Sequence, residues 1–293
     1  MDHEARAHRA YEAILRPGDV AIDVGAHVGD HTLPMARRVM PSGIVYAFEP
    51  LPVCRQTLRA NLDREPALKT VVRLFDVALG ASAGTAPFVV AEDALAYSGL
   101  RERVYDVPTR IKRISVEVRR LDDVLPALSA LRYIKIDAEG GELHALRGGQ
   151  ALLERHRPVV EFEFGANSIA EYGITSSDMG AFWLDRGYVL FDVLARSLGT
   201  LDDFVASATE QEVWDYVAIP AERSELVDAV LEALATGVAT QKLLEGLRRE
   251  RDYALTMAHE NAERIRAMER TKFWKLRKAW FRLRRAVHFP GQE

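Results

Sequence analysis

Residues 21–32 read AIDVGAHVGDHT and residues 45–50 read VYAFEP, and these two stretches restrict the fold more than any other part of the chain. Each is an apolar run that ends in a carboxylate beside a turn. The first ends at Asp23 and breaks at Gly25 and Gly29 before a helical pattern begins; the second ends at Glu49, with Pro50 directly after it. A strand, a glycine turn opening a helix, and a second strand ending in an acid make a βαβ unit with a nucleotide site at the carboxyl edge of a parallel sheet. Backbone N–H groups at the helix start can hold a carboxylate or phosphate. The second acid can take both ribose hydroxyls. The expectation is an adenosine-containing ligand, and the rival reading is an ordinary strand–turn–helix whose glycines serve only the backbone.

Glycine spacing narrows the ligand. A dinucleotide fingerprint reads G-x-G-x-x-G so that backbone can close on a pyrophosphate. Here the turn reads Asp-x-Gly-x-x-x-Gly, with Asp23 two residues before Gly25 and His27 in the middle of the turn. A buried carboxylate so close to the ligand would repel a pyrophosphate. It suits a ligand that carries an ammonium, as S-adenosylmethionine does.

The 293 residues suit one large α/β domain with an appendage, or two modest domains. Cys54 is the single cysteine, so no internal disulfide can form and a reducing, cytoplasmic setting is expected. The start of the chain lacks the apolar core of a secretory signal, and no run approaches a membrane span. The net charge of -4 divides unevenly, with +7 from Arg270 to Glu293 and -11 on the remainder. An acidic body argues against nucleic acid as a partner and gives the basic tail a separate role.

The pattern predicts a helix over 3–15, strands over 70–74, 86–90, 114–118 and 132–136, and helices over 51–62, 121–131 and 143–155. Beyond these come a strand from Pro158 to Phe164, a helix over 178–186 and strands over 188–194 and 213–219. Strands alternating with helices imply a mostly parallel sheet covered on both faces, a Rossmann-like α/β fold over 1–220. Residues 221–293 read as a helical extension. Within it Leu244, Leu247, Arg251, Ala254, Ala258, Asn261, Ile265 and Met268 form a weak heptad seam, consistent with a homo-oligomer through 240–270 or with a helix packed loosely on the body.

The segment YIKIDAEGGEL, 133–143, gathers Lys135, Asp137, Glu139 and Glu142 where a strand leaves the sheet. Alternation puts Lys135 and Asp137 on one side. A structural account makes them a buried ion pair and Glu142 a helix-start acid favoured by the dipole. That account explains Glu142 well and the density of charge poorly.

In order along the chain stand Asp23–Thr32, Ala47–Pro50, Val77–Gly80, Leu121–Asp123, Ile134–Glu142 and Arg157–Glu163. Together these pieces, over about residues 15–220, resemble the FkbM family of S-adenosylmethionine-dependent methyltransferases. The resemblance implies a class I methyltransferase fold, usually acting on a hydroxyl oxygen. It places Asp23, Gly25, Ala26, His27, Gly29 and Thr32 at the methionine portion of the cofactor, Glu49 at the ribose, and Asp76 with the backbone of Val77 at the adenine. His27 stands where the family most often has Asn, and Asp30 where it often has an aromatic residue.

An alcohol acceptor must lose a proton, which calls for a general base. Asp137 and Glu139 are the first candidates, Glu163 follows, and Lys135 could hold Asp137 ionised. Clustered carboxylates could also take a divalent cation, the less favoured alternative. Two other readings stand beside an O-methyltransferase: a nucleotide-dependent oxidoreductase, disfavoured by the glycine spacing, and a methyltransferase-like binding module without turnover. The irregular stretch 91–113, with Tyr97, Ser98 and Arg101, is expected to border the acceptor. The tail resembles endings of bacterial enzymes of surface-glycan assembly, so a sugar hydroxyl on a glycan or glycolipid is the expected acceptor. Phe273, Leu276, Trp280, Leu283 and Val287 make one apolar stripe flanked by Lys and Arg, the pattern of a segment lying in a membrane interface over 270–288.

Overall fold

The computed structural model describes residues 3–105, 107–235 and 241–270. The basic stripe of the tail lies outside them. The N-terminal half runs α1 (His3–Ile14), β1 (Val20–Val24), α2 (Thr32–Val39), β2 (Ile44–Phe48), α3 (Pro52–Arg64) and β3 (Val72–Phe75). Next come β4 (Ala78–Leu79), β5 (Gly84–Ala91), β6 (Ile111–Arg119), α4 (Leu121–Val124) and β7 (Tyr133–Ile136). Then follow α5 (Glu142–Gly148), α6 (Gln150–His156), β8 (Val159–Glu163), α7 (Ala166–Ile169), α8 (Ser176–Leu184) and β9 (Tyr188–Asp192). The chain continues through α9 (Leu201–Glu210), β10 (Asp215–Pro220), α10 (Ser224–Ala235) and α11 (Gln241–Arg270).

Seven strands form one sheet in the order β3-β2-β1-β7-β8-β10-β9. The first five are parallel, and β10 runs antiparallel to both β8 and β9. Strand order reverses between β1 and β7, so loops from the two sides diverge there and leave a cleft beyond the carboxyl ends. Alternation sends Ile22, Val24, Ile134 and Ile136 into one buried cluster, and Ala21, Val45, Ala47 and Tyr133 into a second that also holds α1 and α10. Each face of the sheet therefore has its own helical cover.

Several expected elements differ. The strands at 86–90 and 114–118 pair antiparallel in a separate three-stranded sheet with β4. The helix expected over 121–131 stops at Val124, and Asp122 turns instead to cap α6, accepting from the N–H groups of Ala151 and Leu152 at 3.1 Å. The helix expected over 143–155 is two helices divided at Gly149. A Cβ at Gly149 would come within 2.9 Å of Leu121, so the break lets α4 pack closely. Helix α11 rests on the body: Ala254 and Ala258 are buried in the second cluster, and Arg251 pairs with Asp228 of α10 at 2.6 Å. The middle of the seam therefore packs on the body of the same chain. The side chains of Leu244, Leu247 and Met268 lie outside the described residues.

Candidate active site

At the switch point a cavity of about 300 Å³ opens over β1, β2 and β7, under the loop between β5 and β6. Its floor is the glycine turn. Gly25 has φ +82°, and a Cβ there would lie 1.7 Å from the carbonyl oxygen of Asp137, so only glycine lets the turn run against the end of β7. Gly25 and Ala26 both donate their N–H groups to the Phe48 carbonyl at 3.0 Å, binding this turn to β2. His27 takes φ +46° and donates its backbone N–H to Glu49 at 2.8 Å, while Leu51 N–H donates to the other Glu49 oxygen at 2.7 Å. The acid after β2 is thereby aimed and buried, with lone pairs left for further donors. Burial raises its pKa.

Asp23 is 1 % exposed and accepts from the Thr32 hydroxyl, which pins α2 to the end of β1. It braces the turn from below; burial pushes its pKa up to about 7, with the Thr32 bond opposing. Gly25, Ala26, His27, Glu49 and Val77 border the cavity, whereas Asp23, Gly29 and Thr32 lie behind its wall. Asp76 is exposed and outside the lining, so of the expected adenine contacts only Val77 reaches the cavity. Cys54 lines it as a packed thiol, pushed up to about 12 by burial, as expected for a non-nucleophile.

The charged end comes from strand register. Asp23, Lys135 and Glu161 lie side by side on β1, β7 and β8, all facing α1, and all at most 1 % exposed. Two residues further along, Asp137 and Glu163 follow on the same face at the sheet's edge, and the antiparallel β10 sets Asp215 opposite Glu163. Lys135 Nζ is 3.2 Å from Asp215, 3.6 Å from Glu161 and 3.9 Å from Asp137. Burial opposes its charge, but these carboxylates prevail and raise its pKa well above the ordinary value. The buried ion pair expected from alternation is thus one arm of a larger cluster. Tyr133 donates its hydroxyl to Glu161 behind it.

Carboxylate oxygens of Asp137, Glu139 and Glu163 come within 4.8 Å of one another. Their proton affinities diverge. Burial works to raise Asp137, but Lys135 and a hydrogen bond from Glu163 overcome it and hold Asp137 below the usual range. Burial and the Asp137 charge push Glu163 well above the usual carboxylate range. Glu139 is pushed to about 8 by burial and the same charge, against its ion pair with Arg103. Three oxygen donors are a set that suits a hard divalent cation, and here Lys135 already stands beside Asp137 and Arg103 beside Glu139.

Glu139 sits at φ +52°, a costly conformation for a non-glycine residue. Glu142 supports it, accepting from the N–H groups of Ala138 and Gly140 at 2.9 and 3.0 Å. Glu142 therefore folds the turn rather than facing a ligand. Over the cavity, Tyr97 and Ser98 line the wall as expected, and the Arg103 guanidinium lies 4.3 Å from the Tyr97 ring centre. Arg101 departs from expectation: it borders a separate cavity with His144 and Tyr172. Glu161, Asp215 and Arg103 are not among the site residues that the sequence suggests, and His31, four residues after His27, reads there only as half of an incidental pair. Glu161 had a legible signal, its two-residue spacing from Glu163 in VVEFE; Asp215 and Arg103 depend on pairings made across the fold.

A seven-stranded sheet of this order, with a glycine turn, a buried acid after β2 and a charged pocket at the switch point, defines a class I methyltransferase fold. A model described as the methyltransferase FkbM domain matches residues 23–190, more than half of the 293. The chain belongs to the FkbM methyltransferase family. It is 31% identical over 154 residues to methyltransferase sdnD of Sordaria araneosa, covering 43% of this chain and 59% of that one. Against the 31-O-demethyl-FK506 methyltransferase FkbM of Streptomyces tacrolimicus it is 29% identical over 170 residues, covering 49% and 64%. The chain thus spans less than two thirds of each of these relatives. A solved methyltransferase FkbM from Methylobacillus flagellatus KT shares 20% identity with a TM-score of 0.37, over 52% of this chain and 38% of that one.

Proposed function

We propose that this protein is an S-adenosylmethionine-dependent O-methyltransferase acting on a hydroxyl of a sugar in a glycan, glycolipid or related secondary product. The observation that carries the reading is one cavity joining a ribose-competent acid, Glu49, to a carboxylate kept ionised, Asp137. The bound cofactor supplies an electrophilic methyl group on a sulfonium. Gly25 and Ala26 hold the turn against which it rests, and Glu49 accepts from the ribose. Asp137 takes the acceptor's hydroxyl proton; Lys135 keeps it ionised, and Glu163 and Glu139 complete the pocket wall. Positioning supplies much of the rate, because acceptor oxygen, methyl carbon and sulfur must come nearly into line.

Support for an oxygen acceptor comes from the Streptomyces relative, whose name describes 31-O-methylation. Support for a neutral, hydroxyl-rich acceptor comes from the dense carboxylates, which disfavour an anionic one. The single buried cysteine is consistent with the reducing cytoplasm. No helix among the described residues is long and apolar enough to cross a membrane.

The test is calorimetry with S-adenosylmethionine and with NAD, followed by a mass-spectrometric screen for methylated products from cell-envelope extracts. Glu49→Ala should weaken S-adenosylmethionine binding by about 1.5–3 kcal/mol, the range for hydrogen bonds to a charged group. Unchanged affinity in that variant, or preference for NAD, would sink the reading.

A further inference from the structure

A zwitterionic methionine brings two charges, an ammonium and a carboxylate, to its binding site. The cavity lining offers a carboxylate for the ammonium, Asp30. For the methionine carboxylate the N–H-bearing side chains in the lining are Lys135, His27 and His31. Lys135 is already shared among Asp137, Glu161 and Asp215.

His31 is placed and held as a binding residue would be. It directly precedes Thr32, whose hydroxyl ties this point of the chain to Asp23. Its ring packs edge-on against His8, with centroids 4.7 Å apart, and against Tyr11 at 6.0 Å. Its Nδ1 is buried and has no hydrogen-bond partner, so no protein acceptor claims the imidazole proton on that side. The ring itself is part of the cavity lining.

We propose that His31 recognises the carboxylate of the cofactor's methionine moiety, donating an imidazole N–H to it, and so selects a cofactor with an intact amino-acid end. This rests on the reading of the cofactor as S-adenosylmethionine. The ring stays neutral without ligand: burial, then the neighbouring Lys135 and His8, lower its pKa to about 3 against a weaker pull from Asp137. A neutral donor avoids a second buried cation beside Lys135, and Tyr11, itself fully buried, completes the packing around it.

The experiment is calorimetry of the full chain and its variants with S-adenosylmethionine and with decarboxylated S-adenosylmethionine, which keeps the sulfonium and amine but lacks the carboxylate. His31→Phe, which preserves an aromatic ring between His8 and Tyr11, should bind S-adenosylmethionine about 10- to 100-fold more weakly, the loss of a hydrogen bond to a charged group. Its affinity for the decarboxylated form should be unchanged, and His31→Gln, which retains an N–H donor, should recover most of the difference. Equal weakening toward both ligands, or none toward either, would overturn the assignment while leaving the cofactor reading intact. Wild-type protein that binds neither ligand would overturn both. Thermal unfolding of each variant separates a folding defect, which would affect both ligands alike.

Discussion

At the scale of single residues, the site is built from carboxyl groups whose neighbours drive them apart. Asp137 and Glu163 differ by little in chemistry, but Lys135 stands beside Asp137, so Asp137 is held below the usual carboxylate range while burial and the Asp137 charge push Glu163 well above it. If Asp137 takes the acceptor's proton, Asp137→Asn should leave S-adenosylmethionine affinity near wild type and lower turnover by about 10²–10⁴-fold, the usual contribution of a general base. A folded variant with normal turnover would transfer that role to Glu139 or Glu163. Buried acids also make stability depend on pH. Asp23 rises from 3.8 to about 7 on folding, and Glu161 and Glu142 also rise to about 7. The native state therefore binds these protons more tightly than the unfolded chain does. The resulting stabilisation is complete below the unfolded pKa values and is lost as pH rises through 7. Thermal midpoints should fall between pH 6 and pH 8, with a smaller fall in Asp23→Asn; a step unaltered by that substitution would show that Asp23 does not contribute.

At the scale of elements, capping decides what hydrophobic pattern leaves open. The apolar pattern over 201–210 is too short to predict helix α9. Thr200 and Asp203 nevertheless form a reciprocal capping box at its start, with Thr200 N–H donating to Asp203 at 2.9 Å. That helix buries Phe204 against Phe162 and Tyr216, on the strands that carry Glu163 and Asp215. Thr200→Ala should cost about 1 kcal/mol of stability in urea unfolding, typical of a lost N-cap. No change in midpoint would mean that packing alone holds α9. The reverse holds at 121–131, where a helical pattern yields to Asp122 capping another helix. Such a partner, some thirty residues away, cannot be found by periodicity.

At the scale of the whole molecule, both sheet faces are sealed, and α1, α10 and the middle of α11 close one of them. Covering the seam's alanines within one chain leaves less apolar surface for an oligomer at that point. The basic tail beyond Arg270 remains a matter of sequence. Each basic residue near an anionic surface can add about 1 kcal/mol to membrane attraction, within a Debye length. The full chain should therefore co-sediment with anionic vesicles, less so in high salt, while a chain ending at Met268 stays in solution. If both stay in solution at low salt, the stripe serves packing or oligomerisation instead.

The sequence by itself determined the parallel sheet, the glycine turn, Glu49 after β2 and the charged end of β7. Those follow from periods of two and 3.6 residues and from φ values open only to glycine, all of which act within a few residues of chain. Tertiary structure alone decided that Asp215 faces Glu163, that Arg103 reaches Glu139, and that Asp76 and Arg101 turn away from the cavity. Each of these depends on register between distant strands or on the path of a loop. Energies of that kind come from packing across the whole fold, where a one-residue slip would reverse every side chain.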